Sequence, residues 1–353
     1  MQANIMGWDV GGAHLKAAII KPPSDVIAIY QQPCQLWKGT DKLHEAVRGV
    51  LNQSTLPITC HVLTMTGELV DLFADRDDGV KQILMAMAQL LPNGEVLVYA
   101  GMDGFLGLDE VKPSHYASLA SANWLASATW AAQTTGSGLF VDIGSTTTDI
   151  LLLDDGNVLA EGISDYQRLI SQELIYTGIV RTAVMAAAQS AQDEGKEVGL
   201  MAEYFATMAD VYRVTGELNE LHDQTDTADG AEKTVAASAK RLARMIGCDY
   251  DGNELPRWQR FAYNLRTQQI ARIQSACERQ IARIELTANS PIIGAGTGRF
   301  LVKQIAQNLG RPYLDFSDLF SGDQRQGGNA PADCAPAVAV ACLAAAWSSK
   351  HLK

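Results

Sequence analysis

The chain has 353 residues, of which 47% are hydrophobic and 19% charged, and a formal net charge of −12. That length exceeds what one hydrophobic core fills, and the composition is that of a globular protein rather than a disordered one. The acidic balance speaks against nucleic acid and against an anionic membrane surface, since both are held by Lys and Arg. The six cysteines (Cys34, Cys60, Cys248, Cys277, Cys334 and Cys342) show no CxxC pair and no Cys/His set at zinc spacing. A reducing compartment is therefore expected, without a disulfide framework or structural zinc. Met1 to Asn4 carry no basic leader or cleavable apolar segment. The most apolar run, Ala335 to Trp347, is shorter than the roughly 20 residues a membrane span requires. It is expected to be a buried helix of a cytoplasmic protein.

In chain order, Asn4 to Val10 and Leu15 to Ile20 read as strands around a Gly-Gly turn. Asp41 to Asn52 reads as an amphipathic helix, Ile58 to Thr64 as a buried strand, Gly79 to Leu91 as a helix and Glu95 to Tyr99 as a strand. Ser118 to Ala132, rich in Ala and Trp, reads as one buried helix. At Leu139 to Ile143 and Asp149 to Leu153 the opening strand–turn–strand returns, which points to an internal duplication of structure. Residues 164–286 read as largely helical. They end in a long helix, Pro256 to Leu286, whose arginines (Arg257, Arg260, Arg266, Arg272, Arg279 and Arg283) read mainly as a solvated face. A strand at Pro291 to Gly294 enters a glycine turn and a helix, Gly298 to Leu309. Pro312 to Phe316 is a short strand candidate, and a Gly/Asn/Pro-rich loop, Ser321 to Pro331, precedes the last helix. The expected division is 1–135, completed by 335–353, and 136–334 with a helical insertion over about 164–288.

Three glycine turns carry the chemistry. In GWDVGGAHLKAAII, Asp9 ends a buried strand and Gly11 and Gly12 let the backbone turn tightly and aim amides at an anion. Asp9 repels a phosphate directly, so its sensible role is to hold Mg²⁺ through water. Lys16 either neutralises a phosphate or pairs with a carboxylate. In FVDIGSTTTDILLL, Asp142 and Asp149 flank Gly144 and the hydroxyl run Ser145, Thr146 and Thr147. In SPIIGAGTGRF, a strand breaks into Gly294, Gly296, Thr297 and Gly298 before a helix, a turn that admits a flat ring and ribose or an anion.

In this order the turns resemble the phosphate-1, phosphate-2 and adenosine elements of the acetate kinase, sugar kinase, Hsp70 and actin superfamily. The resemblance covers nearly the whole chain. It implies an α/β fold, the two-lobed actin-like ATPase (ribonuclease H-like) fold, with Ala335 to Trp347 as its returning Ala-rich helix. Further stretches, MTGELVDLFADRDDGV, ASANWLASA, YTGIVRT, MADVYRVTGEL, TADGAEKT and RLARMIGCD, resemble hydantoinase/oxoprolinase-related proteins of tetrahydromethanopterin- and methanofuran-linked one-carbon metabolism. That resemblance implies a transferase joining an aminomethyl-furanmethanol diphosphate to the phenol of a glutamyltyramine-like acceptor, with diphosphate released. Its ligand is a phosphorylated small molecule. The alternatives are an ATP-dependent kinase or amide hydrolase and, in another class, a nucleotide-regulated binding protein.

For the transfer, Asp9 and Asp142 are the expected Mg²⁺ carboxylates, and Gly11, Gly12 and Ser145 to Thr147 the cradle for leaving oxygens. ATP is the other candidate ligand. The phenol calls for a general base; Asp149 and Glu68 are the candidates and Asp103 a third, while Glu68 also reads as a helix-start carboxylate. Ala13 stands where many relatives have Ser or Thr, which weighs against γ-phosphate handling. His14 reads as a phosphate contact or an exposed turn residue, and His61 as a satisfied core residue. In the acidic loop of Asp223, Asp226 and Asp229, Asp229 is expected to cap the following helix. Arg181 reads as a structural ion pair or as a ligand for a substrate carboxylate.

Overall fold

The computed structural model describes residues 4–91, 94–322 and 328–351. Part of the expected 321–331 loop and all but the last residue of the Met1 to Asn4 terminus lie outside them. In chain order the first elements are β1 (Asn4–Val10), β2 (His14–Lys21), β3 (Asp25–Pro33), α1 (Thr40–Gln53), β4 (Ile58–Met65), α2 (Arg76–Leu90), β5 (Glu95–Tyr99), β6 (Phe105–Gly107), α3 (Tyr116–Leu119) and α4 (Asn123–Thr135). Then follow β7 (Gly138–Ile143), β8 (Thr148–Asp154), β9 (Asn157–Val158), α5 (Asp165–Ser171), β10 (Leu174–Ile175), α6 (Val184–Ala187), β11 (Ser190–Asp193) and β12 (Lys196–Gly199). The last are α7 (Met208–Thr215), α8 (Val235–Arg244), α9 (Leu255–Ile281), β13 (Ile292–Ala295), α10 (Arg299–Asn308), β14 (Tyr313–Asp315) and α11 (Ala335–His351).

The chain separates into two compact units. One comprises Met1–Gly138, Leu153–Leu159 and Leu314–Lys353, and the other Leu139–Leu152 and Ala160–Tyr313. The expected boundary had placed 314–334 and the end of the second hairpin elsewhere. Within the first unit Phe320 stacks on Trp130 of α4, and the Val26 amide donates to the Ser321 carbonyl at 2.8 Å. These contacts explain why that stretch belongs with it.

The first sheet has the order β3-β2-β1-β4-β5-β6. β1 runs antiparallel to β2 and parallel to β4, and β4 runs parallel to β5. The second sheet repeats the plan as β10-β8-β7-β13-β14, with β7 parallel to β13. These are the paired ribonuclease H-like sheets of the actin-like ATPase fold. β3 was not foreseen from the sequence; it extends the first sheet at its edge, antiparallel to β2.

The central parallel strands are mostly apolar, as strands covered on both faces are. α11 is apolar all round, as a helix sealed in a core must be, and it packs on α4, β1, β2 and β4. Its 331–349 stretch is apolar enough to pass for a membrane span by length, yet 72% of that window is buried inside the protein. Small side chains let it approach so closely that a Cβ on Gly7 would sit 2.0 Å from the Ala337 carbonyl oxygen.

The expected helix 118–132 is broken in two, with Ser121 in the left-handed region at φ 51° between the pieces. The 164–286 region is less helical than expected. It holds five helices, three short strands and long irregular segments, including the β11–β12 hairpin. The arginines of the expected 256–286 helix are not simply solvated. Arg257 pairs with Asp193, Arg266 with Glu217 and Arg283 with Glu173 and Glu161. Asp229 does not cap α8: Thr234 does, accepting from the Ala237 amide at 3.1 Å. Asp229 instead pairs with buried Arg241, part of a network in which Arg213 also reaches Asp223 and Glu220.

His61 is a core residue, as expected. It is fully buried, and its Nδ1 accepts from Trp8 Nε1 at 3.1 Å, while burial lowers its pKa to about 4. The unfolded chain, with His near 6.5, binds the extra proton first, so this site favours the folded state above pH 6.5 and loses that contribution as pH falls towards 4. Acidification from pH 7 to 5 is expected to remove about 2 kcal/mol of stability through this residue. Urea titrations at both pH values check this: in His61→Asn the gap between the two midpoints narrows.

Candidate functional site

In the first unit the C-terminal ends of the parallel strands β1, β4 and β5 converge on one edge of the sheet, where α/β folds place ligands. Asp9 ends β1 at 4% exposure, opposite Lys16 in the β1–β2 register. The Gly11 amide donates to the His14 carbonyl at 3.1 Å, closing the turn, so that amide holds the hairpin rather than a ligand. The turn is clasped from two sides. The Leu36 amide donates to the Gly12 carbonyl and the Thr66 amide to the Val10 carbonyl, each at 3.0 Å. A Cβ on Gly12 would strike Val70 Cγ1 at 2.7 Å, and one on Gly67 would meet the Val10 carbonyl oxygen at 3.0 Å. His14 is buried at the start of β2, which corrects the reading of an exposed turn residue.

Glu68 follows β4 in the single turn Gly67–Leu69 and is 1% exposed. Its Oε1 accepts from the Ser121 hydroxyl at 2.7 Å and from Arg76 Nη2 at 3.3 Å. Its Oε2 has no hydrogen-bond partner among the described residues. Arg76 also donates to Ser121 Oγ at 2.9 Å. Asn123, two residues on, donates from Nδ2 to Asp9 Oδ1 at 3.3 Å. The segment Ser121–Asn123 thus connects Glu68 to Asp9. A left-handed non-glycine residue costs free energy and is kept where the surroundings require it. Arg76, Ser121 and Asn123 were not singled out from the sequence. The signal available was ASANW, which interrupts an alanine-rich helix with two polar residues. Asp103 lies exposed in the turn 101–103 after β5.

The second unit repeats the hairpin. The Gly144 amide donates to the Thr147 carbonyl at 2.9 Å, as Gly11 does to His14. Asp142, Gly144, Thr147 and Asp149 are spaced as Asp9, Gly11, His14 and Lys16 are. Around this turn wraps the segment 177–182. Amides of Ile179, Val180 and Arg181 donate to the carbonyls of Gly144 and Ser145 at 2.9–3.1 Å. Gly178 lies against the turn so closely that a Cβ would sit 2.4 Å from the Thr146 amide nitrogen. Thr148 Oγ1 donates to the Thr177 carbonyl at 2.7 Å, and Gln269 Nε2 of α9 donates to Thr177 Oγ1 and the Gly178 carbonyl. Arg181, exposed, reaches Thr146 Oγ1 with Nη1 at 3.4 Å. Its charge also acts on Tyr204, whose phenol burial pushes upward in pKa.

Asp149 forms an ion pair with Arg168, which is 2% exposed. One of its oxygens is therefore committed to a guanidinium, a positioning role rather than the open lone pair a base presents. Gly296, at φ 78°, abuts Asp142, since a Cβ there would sit 2.3 Å from Asp142 Oδ1. The Gly298 amide donates to the Ile143 carbonyl at 2.8 Å, and Gly294 is crowded by Tyr313. The buried hydroxyls Ser145 Oγ and Thr297 Oγ1 have no hydrogen-bond partner among the described residues. Such unmet donors suit phosphate oxygens.

A profile described as Hydantoinase/oxoprolinase matches residues 59–315. The chain belongs to the hydantoinase/oxoprolinase family. It is 32% identical over 250 residues, covering 70% of this chain and 73% of the relative, to the (4-{4-[2-(gamma-L-glutamylamino)ethyl]phenoxymethyl}furan-2-yl)methanamine synthase of Methanocaldococcus jannaschii. The synthase of the same name from Methanococcus vannielii is 32% identical over 111 residues, 31% of this chain and 50% of that one. Among solved structures, nucleotide-free acetone carboxylase covers 96% of this chain and 70% of its own at TM-score 0.54 and 10% identity, a likeness of fold alone. The matched family region takes in Glu68, the second hairpin, the wrapping segment and the third glycine turn, but not the first hairpin.

Gly178→Ala is expected to push the segment 177–182 off the second turn and to lower the melting temperature by several degrees. Thermal unfolding followed by circular dichroism measures the effect.

Proposed function

We propose that this chain is a transferase of methanofuran-type cofactor biosynthesis. It condenses an aminomethyl-furanmethanol diphosphate with the phenol of a glutamyltyramine-like acceptor and releases diphosphate. The observation that carries this reading is the 32% identity, over 70% of the chain, to a synthase whose name describes a phenoxymethyl furan amine.

In this reaction the phenol oxygen forms a bond to the furan methylene carbon while the bond from that carbon to the diphosphate oxygen breaks. The phenol proton passes to a base and the electron pair leaves with diphosphate. Ser145, Thr146, Thr147 and Thr297 supply donors to the departing oxygens, where negative charge grows. Within the first unit Glu68 is the proposed general base, with Oε2 unpartnered among the described residues and Oε1 held by Ser121 and Arg76. Arg168 fixes Asp149, which in turn orients the β8 end of the second hairpin.

Among the described residues no group of three or more His, Cys, Asp or Glu could enclose a metal. That fits Mg²⁺, which is commonly held by one or two carboxylates plus the phosphates of its ligand rather than by an all-protein cage. In the second unit Asp142 would hold it at the hairpin turn; Asp9 is the matching proposed metal carboxylate of the first unit. Bound there, Mg²⁺ would neutralise charge on the leaving diphosphate.

The test is an assay with the synthetic furan diphosphate and γ-glutamyltyramine, following the condensed product by mass spectrometry and diphosphate release in parallel. Asp9→Asn and Asp142→Asn are each expected to reduce turnover at least a hundredfold with an unchanged melting temperature. Wild-type turnover in either variant removes its metal role. Acceptor-dependent ATP hydrolysis without diphosphate displacement would replace the transferase with an ATP-dependent enzyme.

A further inference from the structure

Two arginines attend the second hairpin, and they differ in what they can do. Arg168 is 2% exposed and bound to Asp149, with Asp165 3.7 Å away. It balances carboxylates inside the unit. Arg181 is exposed, and its backbone ties its segment to the turn. Its amide donates to the Ser145 carbonyl at 2.9 Å, and its neighbours Val180 and Thr182 accept from the Ala209 and Met208 amides of α7 at 3.2 and 2.8 Å. The guanidinium is thus carried on a segment tied to the turn on one side and to a helix on the other. From there it reaches Thr146 Oγ1, in the hydroxyl run that includes the unpartnered Ser145 Oγ.

A cation delivered beside hydroxyl donors on a rigid loop is the composition of an oxyanion subsite, and the flat guanidinium fork suits two oxygens at once. The hairpin itself contributes two acidic residues, Asp142 and Asp149, and Arg168 answers only the second directly, so a further cation lowers the repulsion that a polyanion meets there. We infer that Arg181 binds the anionic end of the ligand at the second hairpin and selects a diphosphate group over a single phosphate. This rests on the diphosphate-releasing reading above and names the residue that reads the leaving group. A role in holding an acceptor carboxylate is the competing assignment. The contact with Thr146 favours the phosphate side, because that hydroxyl belongs to the turn that would receive the leaving oxygens.

The experiment is calorimetric titration of wild type, Arg181→Lys and Arg181→Gln with inorganic diphosphate, inorganic phosphate and ATP, each with Mg²⁺, at low and high salt. The expected result is a loss of at least tenfold in diphosphate affinity for Arg181→Gln, a much smaller change for phosphate, and an intermediate value for Arg181→Lys. The salt dependence should flatten in Arg181→Gln, since one screened cation is gone. Diphosphate affinity within twofold of wild type in Arg181→Gln overturns the inference. If that result comes with a raised KM for the glutamyl acceptor, the arginine belongs to the carboxylate. Tight ATP binding that depends on Arg181, with no diphosphate binding by wild type, overturns the diphosphate preference and the transferase reading while leaving an arginine-dependent oxyanion site. Wild type that binds neither anion overturns both.

Discussion

An ionised carboxylate at the end of a buried strand loses its hydration, and its neighbours must replace that hydration with donors or counter-charges. Asp9 is in this position at 4% exposure. Each unit answers with the same device, a hairpin closed by a glycine amide just past the aspartate, which turns the chain sharply and brings a second segment to the carboxylate. In the first unit the segment is Ser121–Asn123, with Asn123 donating to Asp9. In the second it is the glycine turn 294–298, where Gly296 leaves its Cβ position open beside Asp142. Much of what surrounds the hairpins, including the left-handed Ser121 and the helix α11 pressed on Gly7, serves to hold these strand ends in place.

The duplicated hairpins are alike in backbone and unlike in charge. Lys16 in one stands where Asp149 stands in the other. Across the first sheet Asp9 faces a lysine in register, so that hairpin carries its own counter-charge. The second has two carboxylates and borrows a buried arginine from α5. Repetition of the fold therefore does not repeat the electrostatics.

The features legible in the sequence were those encoded over a short span. β1 and β7 are apolar strands that reach an aspartate and then a glycine, and β4 and β5 are mostly apolar runs with a glycine two residues past their ends. The duplication was visible for the same reason. What escaped was set by contacts between residues distant in the chain. The arginines of residues 256–286 look like a solvated face from their spacing, but Arg257, Arg266 and Arg283 find Asp193, Glu217 and Glu173 at sequence separations of 64, 49 and 110. The break at Ser121 was hidden because alanine-rich flanks favour helix on both sides, while the hydrogen bond that holds the break goes to Glu68. YTGIVRT stood out as a resemblance, yet nothing local reveals that Gly178 is there because the backbone of Thr146 leaves no room for a side chain.

The network of Asp210, Arg213, Asp223, Asp229 and Arg241 lies in the insertion and touches no proposed ligand group, yet it bears on the hairpin. Asp210 sits on α7, whose first amides donate to the carbonyls of Val180 and Thr182, and those residues wrap the second turn. Buried ion pairs of this kind fail abruptly when one member is lost, because the survivor is left charged and dry. The insertion and the turn are consequently tied together through α7. Sequence drift in the insertion, far from any reacting atom, is then constrained by the need to keep the hairpin's outer wall standing.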